Sequence, residues 1–249
     1  MKIRVMSDVH LEFGDFDPGY GDVLVLAGDI CVAERYFDFH DFFVQSVQNY
    51  NKVFYVTGNH ENYHGDFEQT ESILRNNLPK EIVYLQNQSV FYEGVHFVGA
   101  TLWTDMNKGD TDTMNEARSR MNDYHLVDNF SPEVSVSEHQ TTKDWFERCI
   151  PTLNGDVFVI THHAPSPKSI HGRYLESVPM YSSEMEDFII KYPNIKFWAH
   201  GHCHFNNDYM VNQCRVISNP RGYHLCEENR QFDPSLEIDL TPGPIGVIV

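Results

Sequence analysis

Seven short runs rich in β-branched and aromatic residues recur along this chain, and they limit what it can fold into. They are Ile3–Met6, Val23–Ala27, Val53–Thr57, Val95–Ala100, Val157–Thr161, Ile195–Ala199 and Val211–Ser218. The first three, the fifth and the sixth are nearly continuous apolar stretches, the pattern of strands covered on both faces. Segments with helical spacing lie between them, at Tyr36–Asn49, Phe67–Asn77, Val136–Cys149 and Ser182–Lys191. For the last, Ser182 or Ser183 is the expected cap, with Glu184 and Glu186 in the first turn. Alternating strands and helices predict an α/β fold with parallel or mixed sheets. The stretch 104–135 is polar and irregular and reads as a long loop or insertion with short helices, a kind of segment that is often functional in enzymes. No repeat, low-complexity tract or Pro/Gly/Ser-rich linker divides the 249 residues, so 1–249 reads as one domain.

In open α/β sheets, ligands bind outside the carboxyl ends of the strands. Five of the runs end on a polar signature. After Ile3–Met6 comes Ser7-Asp8-Val9-His10. In an extended segment residues i and i+2 point the same way, so Asp8 and His10 are expected to share one target. After Val23–Ala27 comes Gly28-Asp29, where a carboxylate can bridge two cations. After Val53–Thr57 comes Gly58-Asn59-His60-Glu61, with an amide oxygen at Asn59 and an imidazole at His60. After Val157–Thr161 comes His162-His163-Ala164-Pro165. Adjacent residues diverge, so His162 is the expected ligand, and His163 lies behind it or faces substrate. After Ile195–Ala199 comes His200-Gly201-His202-Cys203-His204. There His202 and His204 repeat the i, i+2 spacing, His200 reads as a satisfied core histidine and Cys203 as packing. Each motif alone is ordinary turn chemistry. Five together at strand ends point to metal binding.

Composition excludes several classes. Hydrophobic residues are 41 % and charged residues 22 %, a globular balance. No apolar run approaches the roughly 20 residues that span a bilayer. The N-terminal segment lacks a signal-peptide pattern, so a cytosolic location is expected. The five cysteines are irregularly spaced with no CxxC, which favours free thiols over a disulfide framework or thiolate zinc site. Net charge is −18, and no run of three basic residues offers a stripe for nucleic acid.

The set Asp8-x-His10, Gly28-Asp29, Gly58-Asn59-His60-Glu61, His162 and Gly201-His202-x-His204 resembles, in order and spacing, the calcineurin-like metallophosphoesterase superfamily. The resemblance implies a four-layer α-β-β-α sandwich of two mixed β-sheets, with a dinuclear metal site at the carboxyl ends of the strands. It implies one metal on Asp8, His10, Asp29 and His204, and another on Asp29, Asn59, His162 and His202, bridged by Asp29. His60 would act at the leaving group as general acid or donor. Protein phosphatases of this superfamily follow Gly-Asp with Asp-Arg-Gly. Here Ile30-Cys31-Val32-Ala33-Glu34-Arg35 follows, which turns the reading toward the smaller bacterial and phage-type phosphoesterases and the cyclic-nucleotide phosphodiesterase-like branch.

Mixed N/O donors suit two divalent ions of Mn, Fe, Zn, Co or Ni better than Ca or Mg. With two Asp and a bridging hydroxide the centre keeps a charge of about +1 and can draw a phosphate ester into an acidic protein. Two metals about 3.5–4 Å apart hold an in-line displacement and generate that hydroxide as nucleophile. The expected activity is hydrolysis of phosphodiester or phosphomonoester bonds in small, nucleotide-like substrates. The rivals are a DNA-repair-type nuclease, which predicts a basic groove, and a non-catalytic interaction module of the same fold, which predicts lost ligands. Candidates for shaping the substrate pocket are His64, His163, Arg173, Tyr174 and Arg221.

Overall fold

Alternation within single strands decides the layers. In β2 (Gly21–Ala27), Val23, Val25 and Ala27 join one apolar cluster while Leu24 and Leu26 join another on the opposite face. In β7 (Asp156–Thr161), Phe158 and Ile160 share the first of these clusters, and Val157 and Val159 face away. The period of two thus gives each strand two buried faces. A computed structural model describes residues 1–240, apart from the side chain of Arg173.

β1 (Lys2–Met6), β2, β3 (Tyr50–Val56) and β4 (Ile82–Tyr84) pair in parallel in that order, and β13 (Glu237–Asp239) closes the other edge antiparallel to β1. The second sheet runs β5 (Gln88–Tyr92), β6 (Val95–Ala100), β7, β8 (Ile195–His200), β10 (Cys214–Ser218), β9 (Asn207–Val211). Its four central strands are parallel and its two edge strands antiparallel. A two-stranded ribbon joins β11 (Gly222–Tyr223) to β12 (Glu227–Glu228).

The two large sheets meet face to face. Val5, Val25 and Phe54 pack there with Phe97, Phe158 and Ile160, and the rings of Phe54 and Phe97 stack at 4.0 Å. Helices α1 (Tyr36–Asn49) and α2 (Phe67–Asn77) cover the outer face of the first sheet through Phe39, Phe43 and Leu74. Helices α6 (Pro132–Cys149) and α8 (Glu186–Lys191) cover the second through Phe146, Phe188 and Ile189. The result is the expected four-layer α-β-β-α sandwich. The 104–135 stretch holds α3 (Met106–Gly109), α4 (Thr111–Arg120) and α5 (Asp123–Leu126), which pack with α7 (Val178–Tyr181) around Met106, Ala117, Met121 and Met180. Among the described residues no helix is long and apolar enough to cross a membrane.

Three expectations need correction. Val211–Ser218 is not one strand but the end of β9, a turn with Asn212 at φ 53°, and β10. The helix expected at Ser182–Lys191 starts only at Glu186. Ser182 bridges to Ala164 and the Ser183 amide donates to the Ala164 carbonyl, so neither serine caps it. The helix expected from Val136 starts at Pro132, with Ser131 as its cap, accepting from the Val134 amide.

Candidate metal centre

All five polar signatures meet at one edge of the sandwich, where β1, β2 and β3 of one sheet and β7 and β8 of the other end. The backbone reason differs from the strand alternation expected. Asp8, His10, Asp29, His202 and His204 all adopt φ between 48° and 72°, the left-handed region that non-glycine residues rarely enter. Each strand therefore breaks at its end and curls the next side chains inward. Asp8 and His10 do approach a common point. His202 and His204 do not share one: they join separate groups.

Asp8, His10 and His204 bring one ligand atom each to within 4.8 Å of one another, and Asp29, His162 and His202 do the same. In the first group His10 Nε2 lies 3.2 Å from His204 Nε2, and His204 Nε2 lies 3.3 Å from Asp8 Oδ1. In the second, His162 Nε2 lies 3.3 Å from Asp29 Oδ1 and 3.0 Å from Asn59 Oδ1. Asp29 reaches both groups, because its Oδ2 is 3.7 Å from His10 Nε2. Close approach depends on glycine: a β-carbon at Gly58 would fall on the Asp29 carboxylate, and one at Gly28 on the His162 ring.

Tautomers follow from the outer hydrogen bonds. His162 Nδ1 donates to the Ala27 carbonyl at 2.9 Å, leaving Nε2 for the centre. His10 Nδ1 donates to Glu12 at 3.2 Å, which does the same for its Nε2. Burial and the neighbouring His163 and His162 keep His202 well below the usual histidine range, so it is a neutral lone-pair donor. Its Nε2 is buried with no hydrogen-bond partner. Burial works against charge on Asp29, but His162, His60 and His10 outweigh it and hold that carboxyl well below its ordinary value. Imidazole nitrogens pressed together, an orphaned buried Nε2 and two anionic carboxylates are a donor set that fits cations.

His60 lies beside the first group. Its amide donates to Asp29 Oδ1 at 2.8 Å, and its Nδ1 bonds to Glu12 Oε1 at 2.9 Å. Its Nε2 is 3.1 Å from the Tyr223 hydroxyl. Burial lowers its pKa, but the negative charges of Asp29 and Glu12 prevail and raise it. Glu12 itself is held at about 2: burial would raise it, and the bonds from His10 and His60 overcome that. Glu12, His10 and His60 also lie within 4.8 Å of one another. Both Nδ1 atoms already face the carboxylate, so the three side chains form one hydrogen-bonded group.

Reading the sequence missed four residues here. Glu12 holds two imidazoles. Glu61 accepts from the amides of Asp29, Ile30 and Gly58 and from the Tyr55 hydroxyl. Asp123, from the 104–135 stretch, accepts from Asn59 Nδ2 at 2.9 Å and the Tyr63 hydroxyl at 2.6 Å. Tyr223 meets His60. Glu61 stood inside the Gly58-Asn59-His60-Glu61 motif, Tyr223 two positions after the pocket candidate Arg221, and Glu12 two positions after His10.

The pocket candidates divide. Tyr174 lines the cleft over the centre, with Tyr63, Tyr181, Tyr223, Arg120 and Asn122. His163 does not: it is buried behind His202, its ring 4.2 Å from that ring and 4.9 Å from Trp103. His64 is exposed against Tyr63 and stands outside the cleft lining. Arg221 is buried, and its guanidinium donates to the carbonyls of Val9, Gly14 and Asp15. The side chain of Arg173 lies outside the described residues. His200 is a core histidine bonded to Ser169 and the Gly201 carbonyl, and Cys203 packs with Ala164 and Ile170. A larger groove between α6 and α8 carries charges paired with each other, Lys168 with Glu186 and Lys191 with Glu147. Among the described residues none of the ligand groups falls there.

A fold of two mixed sheets with aspartates and histidines at its strand ends defines a metallophosphoesterase-type scaffold. The calcineurin-like phosphoesterase family model matches residues 1–206, and the chain belongs to that family, whose members carry out metal-dependent phosphoester hydrolysis. Over 282 residues it is 27 % identical to the uncharacterized protein L509 of Acanthamoeba polyphaga mimivirus, covering 96 % of each chain. Its fold is similar to that of the phosphopantetheinyl hydrolase PptH from Mycobacterium tuberculosis, with a TM-score of 0.69 at 17 % identity over 89 % of both chains.

Proposed function

We propose that this chain hydrolyses phosphodiester or phosphomonoester bonds of small, nucleotide-like substrates at a two-metal centre. The observation that carries the reading is Asp29, which reaches His10 on one side and His162 on the other. Asp8, His10, Asp29 and His204 would hold one divalent ion, and Asp29, Asn59, His162 and His202 the second. This donor set suits Mn, Fe, Zn, Co or Ni. Two such ions supply polarisation of phosphoryl oxygens and a lowered pKa for water.

The rest falls to the chain's own groups. Glu12 turns His10 Nε2 toward the first position and fixes His60 by its Nδ1. His60 Nε2, at the cleft beside the Tyr223 hydroxyl, holds the proton given to the departing alkoxide. Four tyrosines offer flat faces to the non-reacting part of the ester, and Arg120 and Asn122 offer polar contacts. The charge of −18 disfavours a polyanionic polymer, and the free cysteines fit a cytoplasmic setting.

Assays with added Mn²⁺ on p-nitrophenyl phosphate, bis-p-nitrophenyl phosphate and cyclic nucleotides test this. Turnover of one of the three is expected; no metal-stimulated turnover of any would refute it. In His60→Ala, kcat should fall about 10²–10⁴-fold with metal content kept. Unchanged kcat would remove His60 from the proton step.

A further inference from the structure

Asn59 presents two chemically different atoms at its tip, and only the oxygen can bind a cation. Something must decide which atom faces the centre. The nitrogen is turned away from it: Nδ2 donates to Asp123 Oδ1 at 2.9 Å and lies 3.2 Å from the Tyr63 hydroxyl. Oδ1 then stands 3.0 Å from His162 Nε2. The two neighbours of Nδ2 are not equivalent. A tyrosine hydroxyl can donate or accept, although here its one proton goes to Asp123 Oδ1. A carboxylate only accepts. Rotating the Asn59 amide would press its oxygen against Asp123 in a place where both side chains are at least 96 % buried. An uncompensated oxygen–oxygen contact there is costly.

We propose that Asp123 is a positioning residue that sets the polarity of Asn59 and so makes the second metal position. This rests on the two-metal reading above. It also assigns a task to the 104–135 stretch. Asp123 opens α5, three positions after the last residue of α4, and this stretch brings Arg120 and Asn122 to the same cleft. The segment that reads as an insertion is therefore tied to the centre through one hydrogen bond to one ligand. Tyr63, four residues beyond Asn59, shares Asp123 Oδ1 and keeps that carboxylate in place at 2.6 Å.

The test is equilibrium binding of Mn²⁺ to the full chain after chelator treatment, counting both equivalents. Wild type is expected to bind two. Asp123→Ala should weaken one of them about 10–100-fold and leave the other unchanged. Asn59→Asp should also weaken it, since two carboxylates then face each other. The double variant Asn59→Asp with Asp123→Asn should regain the second ion, because a carboxylate shows oxygen in either rotamer. A residue that merely packed would give no such recovery. If Asp123→Ala binds both ions as tightly as wild type, weakens both alike, or the double variant binds no better than Asn59→Asp, the inference is overturned. If Asp123→Ala does not fold, the comparison of Asn59→Asp with the double variant decides. A wild-type chain that binds fewer than two ions overturns the two-metal reading itself, and this inference with it.

Discussion

Arg221 carries a charge that looks available to a phosphate, and its donors are already engaged. Nη1 bonds to the Val9 and Gly14 carbonyls at 3.0 Å each, Nη2 bonds to Asp15 at 3.3 Å, and the guanidinium lies 4.9 Å over the Phe16 ring. These partners flank His10 and Glu12, so Arg221 shapes the loop that carries two site residues. Arg221→Ala would leave those carbonyls short of a donor, and should cost about 2–4 kcal/mol, read as a lower urea midpoint, with KM for the ester unchanged. A raised KM at unchanged stability would return Arg221 to the substrate. Sequence reading goes wrong at this scale for one reason: it gives residue types and spacing, not the partners that use up a side chain. Asp8, His10, Asp29 and the histidines after β8 were legible as donors. Their left-handed backbone was not, because nothing in Asp-x-His distinguishes it from an extended strand end.

The elements that carry the site are loops, and loops hold shape through specific bonds. Glu61 is the fastening between the turn after β2 and the turn after β3. One of its oxygens accepts from the Ile30 amide at 2.8 Å and the Tyr55 hydroxyl at 2.7 Å. The other accepts from Gly58 at 2.6 Å and Asp29 at 3.1 Å. Burial and the Asp29 charge raise its pKa to about 7, against the pull of the bonds from Tyr55 and Ile30. Glu61→Gln keeps one acceptor oxygen and turns an NH₂ group onto two amide donors. About 2–4 kcal/mol of stability should be lost, measured by urea unfolding. Metal affinity should weaken too, because Asp29 shares that turn; a stable variant with full metal content would dismiss the fastening. Helices were readable where the apolar periodicity was plain, as in α1 and α2, whose ends match the sequence pattern. The β9–β10 hairpin was not. Its turn carries only Asn212 and Gln213, with no glycine or proline, so the β-rich pattern on either side reads as one run.

Across the whole molecule, the site spans the join between two sheets. Asp8, Asp29 and Asn59 follow β1, β2 and β3 of the first, while His162, His202 and His204 follow β7 and β8 of the second. The architecture was legible because two-sided apolar strands demand covering layers. The site's wall was not, because Asp123 and Tyr223 come from segments 64 and 163 residues away from the groups they hold. A ligand set divided between sheets has a thermodynamic consequence. Ions that bind the folded chain and not the unfolded one add stability, about 2.7 kcal/mol for each at a hundredfold excess over Kd. On the proposed two-metal reading that stability would belong to the contact between sheets, since either sheet alone offers only part of the candidate donor set. Stripping the metal with a chelator should lower Tm by about 5–10 °C for each ion lost, and adding Mn²⁺ should restore it. Amide exchange should rise at the ends of β2 and β7 together, whose loops meet where His162 donates to Ala27. A chelated chain with unchanged Tm, or exchange rising at one sheet alone, would show that the ions do not fasten the two halves.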